Sequence, residues 1–271
     1  MLLVALKGAF NVTIDIILTN AKAYVNEDII ECSIAIEAGK IFKIGNETNM
    51  PNFDQKIDLH GKLVLPGLID PHVHLRDEEK AYKETFATGT AAAVVGGVTT
   101  VLDMPNNTPV TMNTASLQNR MQKAKKRIYA NVGFYSEFPT CLNEIKNIFD
   151  TGAVGFKLFL GEKVGGLNID DDQTLEEAFK IIAELDLPVA VHGEDHQMLK
   201  KNIEKLKRTK REDINAFLKA HDEFVESVAI NRMLKINSQI EKMRLHFCHL
   251  STELGLNAIV EAKKSWKKCN L

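Results

Sequence analysis

Cysteine is scarce in this chain of 271 residues. The four present, Cys32, Cys141, Cys248 and Cys269, lie far apart and form no Cys-x-x-Cys. That spacing argues against a disulfide framework and a cysteine-based zinc site, and suits free thiols in a reducing compartment. An excess of one charge is also missing: 34 Lys and Arg face 36 Asp and Glu, a formal net charge of -2. The two signs are mixed along the chain, which leaves no basic footprint for nucleic acid. Long apolar runs are wanting too. The longest uncharged stretch, Thr85 to Leu102, contains Gly89, Gly96, Gly97 and five threonines. A helix, a Gly-Gly turn and a buried strand account for it better than a membrane span. The opening Met1–Thr13 is apolar but short, is broken by Lys7 and lacks a basic leader. No repeat or low-complexity tract stands out. These absences predict a cytoplasmic protein with neither a nucleic-acid nor a membrane partner.

What is present is enough apolar residue, 45% against 26% charged, to build a large soluble core. The first part reads as β-rich. Asp15–Ala21, Ser33–Glu37, Lys40–Ile44 and Lys56–His60 have strand composition or alternation, and Glu37-Ala38-Gly39-Lys40 suits a hairpin turn. From Lys62 apolar strand-like runs alternate with helical stretches, the pattern of parallel βαβ units. The strands expected are Leu63–Val73, Thr99–Met104, Tyr129–Phe134, Gly155–Leu160, Pro188–Val191 and Arg244–Cys248. The helices expected are Phe86–Val95, Ala115–Arg127, Leu142–Phe149, Thr174–Leu185, a long polar helical region around Met198–Asn237, and Glu253–Lys264. The expected fold class is therefore α/β. It is a (β/α)8 TIM-type barrel of which about six of eight units are visible, over 63–271, preceded by a small β-sandwich-like domain over 14–62.

The chemistry concentrates at strand ends. Leu65-Pro66-Gly67-Leu68-Ile69-Asp70-Pro71-His72-Val73-His74-Leu75-Arg76 is an apolar run that ends in His-x-His with an arginine two residues on. Residues two apart on a strand face the same way, so His72 and His74 can share one cation and Arg76 can extend the row toward an anion. The plainer alternatives are partly buried structural histidines and a surface arginine. His192 ends the fifth strand and His249 the sixth. In a barrel such ends converge at one mouth, where four imidazoles can hold two metal ions, and imidazole suits zinc. Lys157 sits inside the apolar run Gly155–Leu160. Either its ammonium reaches water at the strand end, or the amine has reacted with carbon dioxide. The carbamate is an anion that could bridge two metals, and it removes the cost of a buried cation beside them.

These segments are similar to the amidohydrolase superfamily and, within it, to the dihydroorotases. The resemblance is carried by Pro66–Arg76, by Tyr82–Thr90, by Gly96-Gly97-Val98-Thr99-Thr100-Val101-Leu102-Asp103-Met104-Pro105-Asn106-Asn107, and by the neighbourhoods of Lys157, His192 and His249. It runs from about Asp15 to the end and leaves residues 1–13 as an extension without counterpart. It implies that His72 and His74 bind a first zinc, that His192 and His249 bind a second, and that carbamylated Lys157 bridges both. It also implies that Arg76 and Asn106 hold the substrate carboxylate, although Asn106 after Met104-Pro105 also reads as a turn residue. The implied reaction is the reversible conversion of dihydroorotate to N-carbamoyl-L-aspartate, the third step of pyrimidine synthesis.

The family's catalytic aspartate ends an eighth strand, which would follow Leu271. No residue here is assigned that role, and little turnover is expected from these 271 residues alone. Asp103 is expected to be structural and Asp195 to orient the loop after His192. Gly161–Gly166 reads equally as a closing loop or as a connector. Three further readings stay open: a hydantoinase or allantoinase, a homodimer, and a non-catalytic barrel partner that docks onto aspartate transcarbamoylase.

Overall fold

A computed structural model describes residues 13–211 and 213–269. The extension expected over 1–13 lies outside the described residues except for Thr13. The chain divides into two compact units between Gly67 and Leu68.

The first unit is a mixed sheet of β1 (Thr13–Val25), β2 (Asp28–Glu37), β3 (Lys40–Gly45), β4 (Asn52–Asp58) and β5 (Leu63–Val64). Its order is β3-β2-β1-β4, and β5 also pairs with β1. β1 runs antiparallel to β2 and parallel to β4 and β5. Alternation along β1 buries Ile14, Ile17, Ala21 and Ala23. The turn at Glu37–Lys40 joins β2 to β3 as the Ala38-Gly39 pair predicts, with φ of 48° and 73° there.

The second unit alternates strand and helix: β6 (Leu68–Val73), α1 (Phe86–Val95), β7 (Val98–Asp103), α2 (Thr114–Ala124), β8 (Asn131–Glu137), α3 (Glu144–Thr151), β9 (Gly155–Phe159), α4 (Asp172–Glu184) and β10 (Pro188–His192). Then follow α5 (His196–Arg208), α6 (Ile214–Ala220), α7 (Glu223–Asn237), β11 (Arg244–Phe247) and α8 (Glu253–Cys269). The six strands lie in sequence order, β6 to β11, and every neighbouring pair is parallel. This is six consecutive units of a (β/α) barrel. One strand face packs on the helices: Val101, Phe134, Phe156, Leu158, Val189 and Val191 join Phe86, Leu117, Ile145, Phe179 and Met233 in the main core. The other face is lined in register. Glu137 pairs with Lys157, Lys157 with Ala190 and Ala190 with His246, one row across four strands. Gly155 lies opposite Tyr135, and a β-carbon there would come 2.7 Å from the tyrosine ring and 2.9 Å from the Pro188 carbonyl oxygen.

Two expectations differ from the structure. Leu63–Val73 is not one strand. Pro66-Gly67 interrupts it, and Leu63–Val64 pairs with β1 while Leu68–Val73 opens the parallel sheet. Proline lacks the donor that a continuous ladder needs. The polar region around Met198–Asn237 is three helices, not one. Asp213 accepts from the Ala216 amide and Asp222 from those of Phe224 and Val225, so each aspartate restarts a helix. No helix among the described residues is long and apolar enough to cross a membrane.

Candidate metal and anion site

The strand ends bring the four expected histidines together. His72, in β6, has its ring centroid 5.4 Å from that of His74 and 5.4 Å from that of His249. His192, the last residue of β10, stacks edge-on to His249 at 4.7 Å, with Nδ1 of the former 3.1 Å from Nε2 of the latter. Two nitrogens each about 2.0–2.1 Å from one tetrahedral zinc stand about 3.3 Å apart, so this pair is close to the separation a shared ion needs. Among the described residues no three His, Cys, Asp or Glu side chains gather as a metal-holding group. The four imidazoles form one row, His74, His72, His249 and His192, with neighbouring centroids 5.4, 5.4 and 4.7 Å apart; His72 and His74 at the end of β6 make the first pair along the chain, His192 and His249 the second.

Lys157 is fully buried on the inner face of β9. Its Nζ lies 3.5 Å from Sγ of Cys248 and 4.6 Å from the centre of the Phe159 ring. Burial lowers its pKa, against the opposing pull of Cys248 and Glu137. Burial likewise lowers His72 and His74 to about 4, helped by the Lys157 charge at His72 and by Arg76 at His74. His249 is lowered by burial, then by His192 and Lys157. Neutral imidazoles keep a lone pair for a metal. In chemistry, the imidazole set fits a divalent cation.

Arg76 and Asn106 lie beside His74. Arg76 is half-buried with φ of 52°, and its charge is felt at His74. The Asn106 side chain favours a charged His74 but does not meet hydrogen-bond geometry with it. Nδ1 of His74 and Oδ1 of Asn106 are both buried without a partner. An amide end in that state can serve a ligand, and turning the amide over would present its NH2 there. Lys80, which sequence reasoning missed, donates from Nζ to the Asn106 carbonyl at 2.8 Å and adds a second cation to this corner.

Several groups hold the site from behind. Oε2 of Glu194 lies 2.6 Å from Nε2 of His192, and its Oε1 lies 2.5 Å from Nδ1 of His221. The hydrogen bond from His192, with that from His221, holds the Glu194 carboxyl down to about 2. Histidine ligands commonly spend their second nitrogen on a carboxylate in this way. Glu226 of α7 accepts from the backbone and side chain of both Ser251 and Thr252, which fixes the loop after His249. Asp103 takes the Leu75 amide at 2.8 Å and the Arg120 guanidinium. Asp195 caps α5 through the Met198 amide. Gly165 and Gly166 press on Glu137 and on the backbone at Pro139-Thr140, where a β-carbon on Gly166 would come within 2.2 Å of the Thr140 nitrogen. Close packing is therefore the work of this Gly-Gly pair. A cavity of about 720 Å³ opens beside the second histidine pair, lined in part by Leu199, Phe217, His221 and Thr252.

A family model described as the amidohydrolase family matches residues 63–270, and the chain belongs to that family. A curated protein named dihydroorotase from Methanosarcina acetivorans is 33% identical over 257 residues, 94% of this chain and 54% of the relative. One of the same name from Pyrococcus horikoshii is 36% identical over 246 residues, 90% of this chain and 51% of the relative. An L-hydantoinase from Paenarthrobacter aurescens is 30% identical over 252 residues, 92% of this chain and 55% of the relative. Among solved structures, an L-hydantoinase (dihydropyrimidinase) from Arthrobacter aurescens aligns with a TM-score of 0.83 at 29% identity, covering 93% of this chain and 56% of that one. The chain spans about half the length of the curated relatives it matches.

Proposed function

We propose that this chain carries the metal- and carboxylate-binding residues of a dihydroorotase, a zinc hydrolase of cyclic amides that interconverts dihydroorotate and N-carbamoyl-L-aspartate in the cytoplasm for pyrimidine synthesis. The observation that supports it most is the gathering of His72, His74, His192 and His249 at the strand ends of a sheet that also buries Lys157. His72 and His74 would hold one zinc, His192 and His249 the other, and Lys157 as its carbamate would bridge them. Bound zinc supplies Lewis-acid polarisation of the ring amide and an acidified water.

The protein's own part is binding and orientation. Arg76 offers a planar fork for two parallel hydrogen bonds to a carboxylate. Asn106 adds an uncharged donor, and Lys80 holds the Asn106 backbone from below. Glu194 keeps the His192 ring turned so that Nδ1 faces His249. Burial around His72 and His74 keeps both rings unprotonated at neutral pH.

The test is zinc titration in bicarbonate buffer, with mass spectrometry of the intact chain and dihydroorotate as ligand. The expected result is two zinc ions per chain, an added mass of one carbon dioxide, and loss of both in Lys157→Ala. A chain that binds no zinc, or binds it equally after His72→Ala and His192→Ala, refutes the reading. The hydantoinase-named relative and structural neighbour support a second reading, a ring without a carboxylate. Preferential binding of hydantoin over dihydroorotate would favour it.

A further inference from the structure

Three consecutive residues, Arg76, Asp77 and Glu78, have φ of 52°, 56° and 53°. Asp77 combines this with ψ of -168°, a region that residues other than glycine hold only when their surroundings impose it. The surroundings here are a buried ion network. Arg120 of α2 is 1% exposed. Its Nε and one terminal nitrogen donate to Oδ2 of Asp103 at 3.1 and 2.7 Å. The other terminal nitrogen donates to the Arg76 carbonyl at 2.7 Å and to Oε2 of Glu78 at 3.0 Å. Its guanidinium also lies 4.3 Å from the centre of the Phe86 ring. The second Asp103 oxygen takes the Leu75 amide. The Asp77 carboxylate takes the Phe86 amide at 3.0 Å, the Glu78 amide at 2.8 Å, and Arg127 at 3.1 and 2.8 Å.

No histidine of the site takes part in this network, and a buried charge is costly to retain where an apolar side chain would fill the space. What an apolar residue could not do is hold the Arg76 carbonyl. We propose that Arg120 is a positioning residue: clamped by Asp103, it fixes the left-handed turn at Arg76–Glu78 so that the Arg76 guanidinium stays aimed beside His74, and it thereby sets the preference for a ring bearing a carboxylate. This rests on the reading that Arg76 takes that carboxylate.

The test compares dihydroorotate with dihydrouracil, the same ring with hydrogen in place of the carboxylate. Binding of both to the zinc-loaded 271-residue chain is measured by titration calorimetry in wild type, Arg76→Met and Arg120→Lys. Lysine keeps a charge for Asp103 but lacks the fork that also reaches the Arg76 carbonyl. The expected result is a wild-type preference for dihydroorotate, lost in Arg76→Met and reduced about tenfold in Arg120→Lys, the scale of one charge-assisted hydrogen bond. In Arg120→Lys the affinity for dihydrouracil and the zinc count stay as in wild type, which a general loss of structure would not allow. Should Arg120→Lys fail to fold, Glu78→Gln replaces it, with a smaller reduction in the same direction. A preference lost in Arg76→Met but intact in the folded network variant overturns this inference alone. A wild type with no preference, or one that binds neither ring, overturns the Arg76 reading and this inference with it.

Discussion

Glu226 offers the sharpest test of how the second histidine pair is held. It lies on α7, is 9% exposed, and accepts four hydrogen bonds: from the Ser251 amide at 2.9 Å and hydroxyl at 3.0 Å, and from the Thr252 amide at 2.8 Å and hydroxyl at 2.5 Å. Replacing it with alanine leaves two amides and two hydroxyls without their acceptor. The adjoining cavity reaches Glu226, Ser251 and Thr252, so water can recover part of the loss. With roughly 1 kcal/mol net for each amide, less for each hydroxyl and a premium for the charged acceptor, Glu226→Ala should cost about 2–4 kcal/mol. That corresponds to a fall in melting midpoint of roughly 5–15 °C. Glu226→Gln keeps one oxygen acceptor of similar shape and should lose about half as much. The loop also carries His249, whose φ is 36°, so zinc affinity should fall in the same order, alanine more than glutamine. Urea unfolding and zinc titration of the three proteins provide the measurement. An alanine variant within about 0.5 kcal/mol of wild type, the noise of an ordinary surface change, would refute the reasoning, as would glutamine and alanine variants that cannot be told apart.

Three further outcomes follow from the same contacts. Glu194→Gln should weaken zinc binding about 10–100-fold, since the carboxylate that orients His192 is lost, and calorimetric titration giving wild-type affinity would sink that role. For Asp77, burial pulls the carboxyl upward, but the Phe86 and Glu78 amides and Arg127 outweigh it and hold the pKa below its ordinary 3.8. The unfolded chain then binds the proton first, so the stabilisation is complete above about pH 5 and is lost as pH falls through 4 and below. The urea midpoint of wild type should drop over that window and that of Asp77→Asn should drop less, whereas parallel curves count against it. Gly155→Ala should destabilise by roughly 1–3 kcal/mol through overpacking against Tyr135 and Pro188, and a neutral result in chemical unfolding would show that β9 can shift.

The fold was legible where burial imposes a period. β7 to β11 are short apolar runs bounded by turns, and their limits follow from that pattern to within a few residues. The gathering of the four histidines was legible for a related reason: His72 and His74 are two apart along the chain, while His192 and His249 follow short apolar runs that read as buried strands, and such strand ends converge. Legibility failed where a single residue overrides the period. Pro66-Gly67 split an apparent strand, and Asp213 and Asp222 split an apparent helix. It failed wholly for Arg120, Glu194, Glu226 and Lys80. Arg120 acts on Arg76 from 44 positions away and Glu226 on Ser251 from 25. Local sequence carries no trace of such a contact, and an arginine in Gln118-Asn119-Arg120-Met121 reads as an ordinary helix-surface residue.

These hidden residues have one physical origin. A loop that leaves the end of a parallel strand has amides with no ladder partner, and those turned toward the helix layer are out of reach of water. A carboxylate accepts several donors at once, so one side chain can satisfy a whole turn. Asp103 does so for Leu75 through one oxygen and holds Arg120 with the other, and Glu226 does so for Ser251 and Thr252. Glu194 applies the same capacity to a ring, tying His192 to His221. The apolar core decides where a strand lies, but its contacts are non-directional and tolerate small rotations. Hydrogen bonds are directional and do not. A truncation in the core, such as Leu175→Ala, should therefore cost about 2–5 kcal/mol of stability while ligand affinity in the folded protein changes little. Removal of a carboxylate behind a loop should cost no more stability yet shift affinity by an order of magnitude. Stability and zinc affinity, measured together over both kinds of variant, should fall on two separate lines, and a single line through all of them would mean that the loops are aimed by packing alone.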